Sequence, residues 1–130
     1  MPNDNAATVA ANADVQFPQD GPSSGSDITR NTASSFFLNA IGVYQVTFQV
    51  SVTEAGQLIL TLAGNDVASS VAGRATGTSQ ITQSVLIQTF AINQLLTVRN
   101  PAGNSPALTI TPLAGGTRPV SAHLVIVRLR

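Results

Sequence analysis

Residues 121–130 read Ser-Ala-His-Leu-Val-Ile-Val-Arg-Leu-Arg, and six of these ten residues are apolar. A half-buried β-strand alternates apolar and polar residues, because successive side chains point to opposite faces of the sheet. Here Val125 and Val127 fall on one face, while Leu124 and Ile126 fall on the other. Both faces of this strand therefore need cover. In a chain of 130 residues with few helix signals, we expect a second subunit to supply part of that cover.

The rest of the chain, from Phe36 onward, also has the pattern of a β protein. The longest alternating segment is 43–52, with large apolar side chains at every even position from Tyr44 to Val52. Turns rich in Gly, Pro and Asn, including Gly64-Asn65-Asp66, separate this segment from other candidate strands at 15–17, 36–38, 58–62, 67–71, 81–90, 95–99, 108–111 and 121–130. About nine or ten short strands at this spacing indicate an all-β sandwich or barrel.

The length of the chain indicates a single folded domain. Residues 1–14 are rich in Ala, Asn and Asp and have little large apolar content. We therefore expect a flexible leader over 1–14 and a folded domain over 15–130.

The composition is poor in charge. Charged residues make up 9% of the chain and the net charge is zero, whereas about 25% is usual for a soluble domain. So few charges are unusual for a small monomer exposed on all sides. We therefore expect that uncharged polar residues (Ser, Thr, Asn and Gln) hydrate the surface and that part of the surface is buried in an oligomer.

Several classes of partner do not fit this composition. All six basic residues are arginines scattered along the chain, and aromatic residues make up only 5%, so neither a phosphate-binding stripe nor a base-stacking surface is expected. No segment approaches the roughly 20 apolar residues of a membrane-spanning helix. Without cysteine, a disulfide framework and a thiolate metal site are excluded.

A short motif lies in the segment 36–48. It consists of Phe36, five residues, Gly42, one residue, Tyr44, one residue, Val46, one residue and Phe48. This resembles the core signature of the complement C1q and tumour-necrosis-factor superfamily, a Phe followed by Gly-x-Tyr-x-Phe-x-(Phe/Tyr), with Val46 where the family usually has Phe. Over about 15–130, the order of the strands and the final Ser-Ala-x-Leu-x-Ile strand look like the C-terminal head of bacterial collagen-like proteins, such as those of the Bacillus spore exosporium.

This resemblance implies a ten-stranded, two-sheet jelly roll that forms a tight homotrimer, with the C-terminal strand near the three-fold axis. It would make the protein a non-catalytic structural head on a spore or cell exterior, with copies of itself as partners and no cofactor. Tyr44 and Phe48 are then candidate interface residues. In the last strand the candidates are Leu124 or Val125, with Ile126 or Val127. Which parity faces the axis stays open.

Catalytic and metal chemistry have few candidate residues. His123 is the only histidine and there is no lysine, so a general base for a Ser or Thr nucleophile is scarce. Three copies of His123 around an axis could bind a metal, although a packed or hydrogen-bonded strand histidine is the ordinary case. The acids available for a glycosidase or a calcium site lie in turns, where such residues are common: Asp20, Asp27, Glu54 and Asp66. We expect no enzyme activity and no metal.

An alternative function is a glycan- or receptor-binding head of the same shape, as in lectin-like or phage receptor-binding proteins. Its ligand would contact the loops 73–78 and 100–106. The candidate donors and acceptors are Arg74, Asn100, Asn104 and Arg118.

Overall fold

A computed structural model describes residues 8–75, 80–103, 107–111, 117 and 122–130. The described residues form β-strands joined by turns and loops, with one 3-10 helix at Ala68–Ser70. This confirms the all-β class. The strands are β1 Thr8–Val9, β2 Ile28–Arg30, β3 Ser35–Leu38, β4 Val43–Ser51, β5 Gly56–Leu62, β6 Asn65–Asp66, β7 Ala72–Arg74, β8 Gln80–Gln88, β9 Gln94–Arg99, β10 Leu108–Thr109 and β11 Ala122–Arg128.

The strands form two main sheets, and all their pairings are antiparallel. One sheet has three strands in the order β11-β4-β8. The other has the order β2-β3-β9-β5-β6, with β7 also paired to β5. A third, short pair joins β1 to β10. One hydrophobic core draws on residues of both main sheets, an arrangement consistent with a β-sandwich.

The core follows directly from the alternation in the sequence. On β4, Tyr44, Val46 and Phe48 are completely buried, while Gln45 between them is exposed. The facing sheet contributes the fully buried residues Leu38, Leu58, Leu60, Leu96 and Val98. Burial of each large apolar side chain contributes about 1.5–3 kcal/mol. The single-faced pattern of β4 is thus explained by one core on one side of its sheet.

The N-terminal segment differs from the expected leader over the part that the structure describes. Val9 is buried, and the amide of Asn100 donates a hydrogen bond to the Val9 carbonyl oxygen over 3.0 Å. Asp14 forms an ion pair with Arg99, with 2.8 Å between Oδ1 and Nε. Residues 8–14 are therefore part of the packed domain, which corrects the boundary expected at residue 15. The candidate strand at 15–17 is also corrected, because these residues lie outside the strands although Val15 is fully buried.

Two further expectations are corrected between β5 and β7. The candidate strand at 67–71 is instead the 3-10 helix, whose Ser70 hydroxyl accepts a hydrogen bond from the Leu60 N–H over 2.8 Å and donates to the Val67 carbonyl over 2.6 Å. The turn expected at 64–66 lies one residue earlier, at Ala63 and Gly64. Their φ values of 52° and 83° match a two-residue turn with two left-handed positions.

The glycine of the 36–48 motif has a packing role. Val43 donates its N–H to the carbonyl oxygen of Arg130 over 3.1 Å, so the C-terminal backbone passes directly over Gly42. A Cβ atom at Gly42 would collide with that same carbonyl oxygen. Any larger residue at this position would push the end of the chain away from β4.

The described part of the chain contains no helix long and apolar enough to cross a membrane.

Candidate functional site

The β11-β4-β8 sheet has one face on the core and one face toward solvent, and we call the second the outward face. It is formed by residues of opposite parity to the buried ones. Its members are His123, Val125, Val127 and Leu129 from β11 and the residue after it, Val43, Gln45, Thr47 and Gln49 from β4, and Thr82, Ser84, Leu86 and Gln88 from β8. None of them is an Asp, Glu, Lys or Arg. A sheet face without such charges is unusual for a surface that meets water.

One edge of the outward face is apolar. Val125, Val127 and Leu129 follow one another along β11 and remain 54%, 46% and 51% exposed. We call these three residues the stripe. Leu124 and Ile126, with the other parity, pack against the core. In the single chain, the odd-numbered residues of β11 therefore point to solvent and its even-numbered residues point to the core.

The opposite edge of the sheet leads to a second apolar feature. Leu86 on β8 is 59% exposed, and the loop after β8 carries Phe90 and Ile92, which are 80% and 62% exposed. We call Phe90 and Ile92 the knob. The Thr89 N–H donates to the Gly42 carbonyl oxygen over 2.9 Å, which fixes the start of this loop beside the beginning of β4. Phe90 has the largest exposed fraction among the large apolar side chains of the described residues.

The sequence pattern predicts a strand over 81–90 that ends at Phe90, and it does not identify the knob. A signal was nevertheless present. Thr82, Ser84 and Gln88 define the polar parity of β8, and Phe90 has that same parity. An apolar residue on the polar parity of a strand predicts an exposed hydrophobic side chain.

A polar column of Gln45, Thr47 and Gln49 on β4 separates the two edges. The Ser84 hydroxyl accepts a hydrogen bond from the Gln45 amide over 3.2 Å and shares another with the Thr47 hydroxyl over 2.9 Å. In the register, Val127 lies beside Gln45, which lies beside Leu86. The outward face is thus apolar along Val125, Val127 and Leu129 at one edge, while β8 at the other edge contributes Leu86 among the polar residues Thr82, Ser84 and Gln88.

Two residues predicted at an interface lie elsewhere. Tyr44 and Phe48 are completely buried within their own chain, and the Tyr44 hydroxyl donates to the Ala40 carbonyl oxygen over 2.6 Å. Both have the inward parity of β4, so neither can contact a second copy while the domain stays folded. This corrects their expected position.

The residues predicted to bind a ligand turn inward where the structure describes them. The Arg74 guanidinium donates to the backbone carbonyls of Val52 and Glu54, with 3.0 Å between Nε and the Glu54 oxygen. Asn100 is buried at 1% exposure. Asn104 and Arg118 lie outside the described residues. A shallow, open depression of about 330 Å³ beside Arg74 is lined by Gly56, Gln57, Gly73, Arg74 and Ala75.

Each acidic residue in the described ranges either has its own partner or lies exposed. Asp20 pairs with Arg30, and Asp27 pairs with Arg128 over 3.1 Å. The Glu54 carboxylate accepts hydrogen bonds from the hydroxyl and the N–H of Thr109, each over 2.7 Å, and these bonds lower the pKa of Glu54. Asp66 is exposed on β6.

His123 lies on the outward face and is exposed. Within the described ranges, no three His, Cys, Asp or Glu side chains come close enough to hold a metal ion. The surface with the most distinctive chemistry is therefore the outward face with its stripe and knob.

A comparison with protein-family models found none that matches this chain, and a search of curated proteins found no similar sequence.

Proposed function

We propose that this protein is a non-catalytic structural module that forms a homotrimer through the outward face. In this proposal the domain is a jelly-roll head that holds together a collagen-like protein on a spore or cell surface. The observation that carries the proposal is the outward face itself, an uncharged surface with exposed Val125, Val127 and Leu129 along one edge. Burial of those side chains against other copies is the mechanism of assembly.

The path of the chain between the sheets supports the jelly roll. β3 belongs to the larger sheet, β4 to the smaller, β5 to the larger, β8 to the smaller, β9 to the larger and β11 to the smaller. Repeated crossing between two antiparallel sheets is typical of Greek-key and jelly-roll folds. The resemblance in residues 36–48 supports the same assignment.

The energetics favour a closed ring over an open pair. Removal of a half-exposed Val, Leu, Ile or Phe side chain from water contributes on the order of 1 kcal/mol. Three subunits in a ring share three interfaces, while only two association steps cost translational and rotational freedom. Because the outward face carries no Asp, Glu, Lys or Arg, burying it leaves no unpaired ion of those types inside the assembly.

The neutral remainder of the surface suits an exterior structural role. Three of the six arginines are already paired with aspartates of the same chain, and Arg74 is bound to backbone carbonyls. A glycan-binding head has no comparable support, because Arg74 and Asn100 are both engaged in internal hydrogen bonds.

The test is the mass in solution by sedimentation velocity and multi-angle light scattering over a range of concentrations. We expect about three times the chain mass of 13.4 kDa for the native protein. Val127→Asp should give a folded monomer, and Val127→Thr, nearly the same shape but polar, should weaken the trimer less. Asn65→Asp, which adds the same charge on an exposed strand of the other sheet, should stay trimeric. A native protein that sediments as a monomer at micromolar concentration would overturn the proposal.

A further inference from the structure

The loop 19–26, between the buried Phe17 and strand β2, contains the only Asp-Gly pair of the chain, Asp20-Gly21. Every residue of this loop is exposed, and the Asp20 side chain is 70% exposed. In any Asp-Gly pair, the main-chain nitrogen of the glycine can attack the side-chain carboxyl group, because glycine has no Cβ to hinder the approach. Asp20-Gly21 is therefore a candidate site for a covalent rearrangement of the main chain.

Three other aspartates have a different residue after them. Asp14, Asp27 and Asp66 are followed by valine, isoleucine and valine. The branched Cβ atoms of these residues crowd the main-chain nitrogen that would have to attack. Asp66 is exposed on β6, so it provides an internal control for an exposed aspartate without a following glycine.

The surroundings of Gly21 leave room for the reaction. A Cβ atom at Gly21 would meet nothing within 4 Å, and no described main-chain carbonyl accepts a hydrogen bond from the Gly21 N–H. Gly21 also lacks the left-handed φ that Gly25 has in the same loop, at 68°. The Gly21 nitrogen is thus accessible, and alanine fits at this position without strain.

One contact restrains the Asp20 carboxylate. The Arg30 guanidinium donates from Nε to Oδ1 of Asp20 over 2.7 Å, and its Nη2 lies 2.6 Å from the same oxygen. Arg30 is itself held in place, because its guanidinium lies 4.8 Å from the centre of the Phe36 ring. The carboxylate must leave this arginine before the Gly21 nitrogen can attack it, since a paired, ionised carboxylate is a poor target for a nucleophile.

We propose that Asp20-Gly21 isomerises slowly in the folded protein and that the ion pair with Arg30 limits the rate. In the first step, the Gly21 nitrogen forms a bond to Cγ of the protonated Asp20 carboxyl group. The carboxyl OH and the amide proton leave together as water, which closes a succinimide ring.

In the second step, water adds to the main-chain carbonyl carbon of Asp20 and breaks its bond to the Gly21 nitrogen, which takes a proton from that water. The product is isoaspartate. Its main chain runs through Cβ and Cγ, and its former main-chain carbonyl is a carboxylate. The mass of the chain is unchanged, and no oxidant or other reactant is consumed.

The rearrangement changes the attachment of the loop to the domain. It inserts one carbon into the main chain and moves the carboxylate of residue 20 onto Cα, so the ion pair between Asp20 and Arg30 is lost. Asp27, just beyond the loop, keeps its own pair with Arg128. The core therefore stays folded while the loop 19–26 is released from Arg30, and the released fraction rises with the age of the molecule.

The test is incubation of the native protein at neutral pH in water enriched in heavy oxygen, followed by tryptic digestion and mass spectrometry. Each passage through the succinimide takes up one oxygen atom from water. Heavy oxygen should therefore enter the peptide that ends at Arg30, with fragmentation placing it at Asp20, and should stay out of Asp66. An isoaspartate-specific methyltransferase should transfer methyl groups from S-adenosylmethionine to the same peptide.

Two variants test the roles of the neighbouring residues. Gly21→Ala, with its fold checked by circular dichroism, should lose most of the labelling at Asp20. Arg30→Gln should raise the labelling rate by up to about fivefold, the factor that the free energy of an exposed ion pair allows. If Arg30→Gln unfolds, concentrated salt screens the same exposed pair in the native protein and should raise the rate instead.

The urea-unfolded chain gives the rate of the pair without the fold. If the unfolded chain is labelled at Asp20 and the folded protein is not, the fold protects the pair and the proposal is wrong. Equal labelling of the native protein and Gly21→Ala would also overturn it. A rate that neither Arg30→Gln nor salt changes would refute the restraint by the ion pair. All these measurements follow the chemistry of a single chain, so they stand apart from the proposed trimer and its failure.

Discussion

Tyr44 provides the sharpest check on which face of β4 is buried. Its ring is completely buried and its hydroxyl donates to the Ala40 carbonyl oxygen over 2.6 Å. Tyr44→Phe should cost about 1 kcal/mol, the usual value of one hydrogen bond, because the Thr89 hydroxyl also donates to that carbonyl over 3.2 Å and keeps it from being left unpaired. Tyr44→Ala also removes the ring and should cost about 3–5 kcal/mol.

These values translate into melting temperatures. For a domain of this length, 1 kcal/mol shifts the midpoint by about 4 °C, so we expect a loss of about 4 °C for Tyr44→Phe and of about 12–20 °C for Tyr44→Ala. The assay is thermal unfolding followed by circular dichroism in the Val127→Asp background, so that dissociation does not contribute to the midpoint. Gln45→Ala, the neighbouring exposed position, is the matched control and should change stability by less than about 0.5 kcal/mol.

One result would refute this reasoning. If Tyr44→Ala left the midpoint of the Val127→Asp background unchanged but dissociated the proposed trimer in the otherwise native protein, Tyr44 would face a partner. The parity of β4 would then be the reverse of the one described, and the outward face would have to be assigned to the other side of the sheet.

Three further predictions concern the contacts that hold the chain ends and turns. Glu54→Gln should destabilise the protein at neutral pH. The Thr109 hydroxyl and N–H lower the folded-state pKa of Glu54. The stabilisation that the Glu54 carboxylate provides is therefore present above the unfolded pKa of about 4.3 and is lost as the pH falls through the folded pKa. Urea unfolding should show the difference in stability between the native protein and Glu54→Gln disappear in acid. Asp14→Asn should cost about 1 kcal/mol through its ion pair with Arg99 and speed hydrogen exchange in residues 8–17, and an unchanged exchange rate would argue against the docked N-terminal segment. Gly42→Ala should cost about 1–3 kcal/mol in thermal unfolding, because its methyl group would meet the C-terminal backbone.

The sequence predicted best those strands in which one face alone is apolar. The alternation in 43–52 predicts a strand there, and β4 spans Val43–Ser51. The prediction succeeds because a strand that packs against a core on one side has an apolar residue at every second position. The candidate strands at 58–62 and 95–99 are likewise found within one or two residues, as Gly56–Leu62 and Gln94–Arg99.

The sequence failed where a contact distant in the chain decides the local structure. Residues 67–71 begin and end with valine, which predicts a strand there, yet the Ser70 hydroxyl accepts a hydrogen bond from the N–H of Leu60, ten residues earlier, and the segment turns as a 3-10 helix. Val15 and Phe17 are buried as expected of strand residues. Their N–H groups instead donate to Val98 and Ala33, so they do not form a regular ladder.

The candidate site was predicted in part for a related reason. An apolar strand needs cover on both faces, but its own residues do not say which face meets the core. In β11 the answer comes from its register with β4, which sets Leu124 beside the buried Phe48 and Val125 beside Thr47. Tyr44 and Phe48 were assigned to an interface by resemblance, and the same register places them inside.

The charges of this chain join segments that are distant in the sequence and leave its outward face neutral. Asp14 and Arg99 are 85 residues apart, and Asp27 and Arg128 are 101 residues apart. Each pair fixes a segment near one end of the chain to a strand, and each arginine so used no longer adds a free charge to the surface. A small protein built in this way has little electrostatic repulsion to keep its copies apart. Solubility then depends on amides and hydroxyls such as those of Gln45 and its neighbours, so exposed apolar residues at the edges of their sheet remain free to associate.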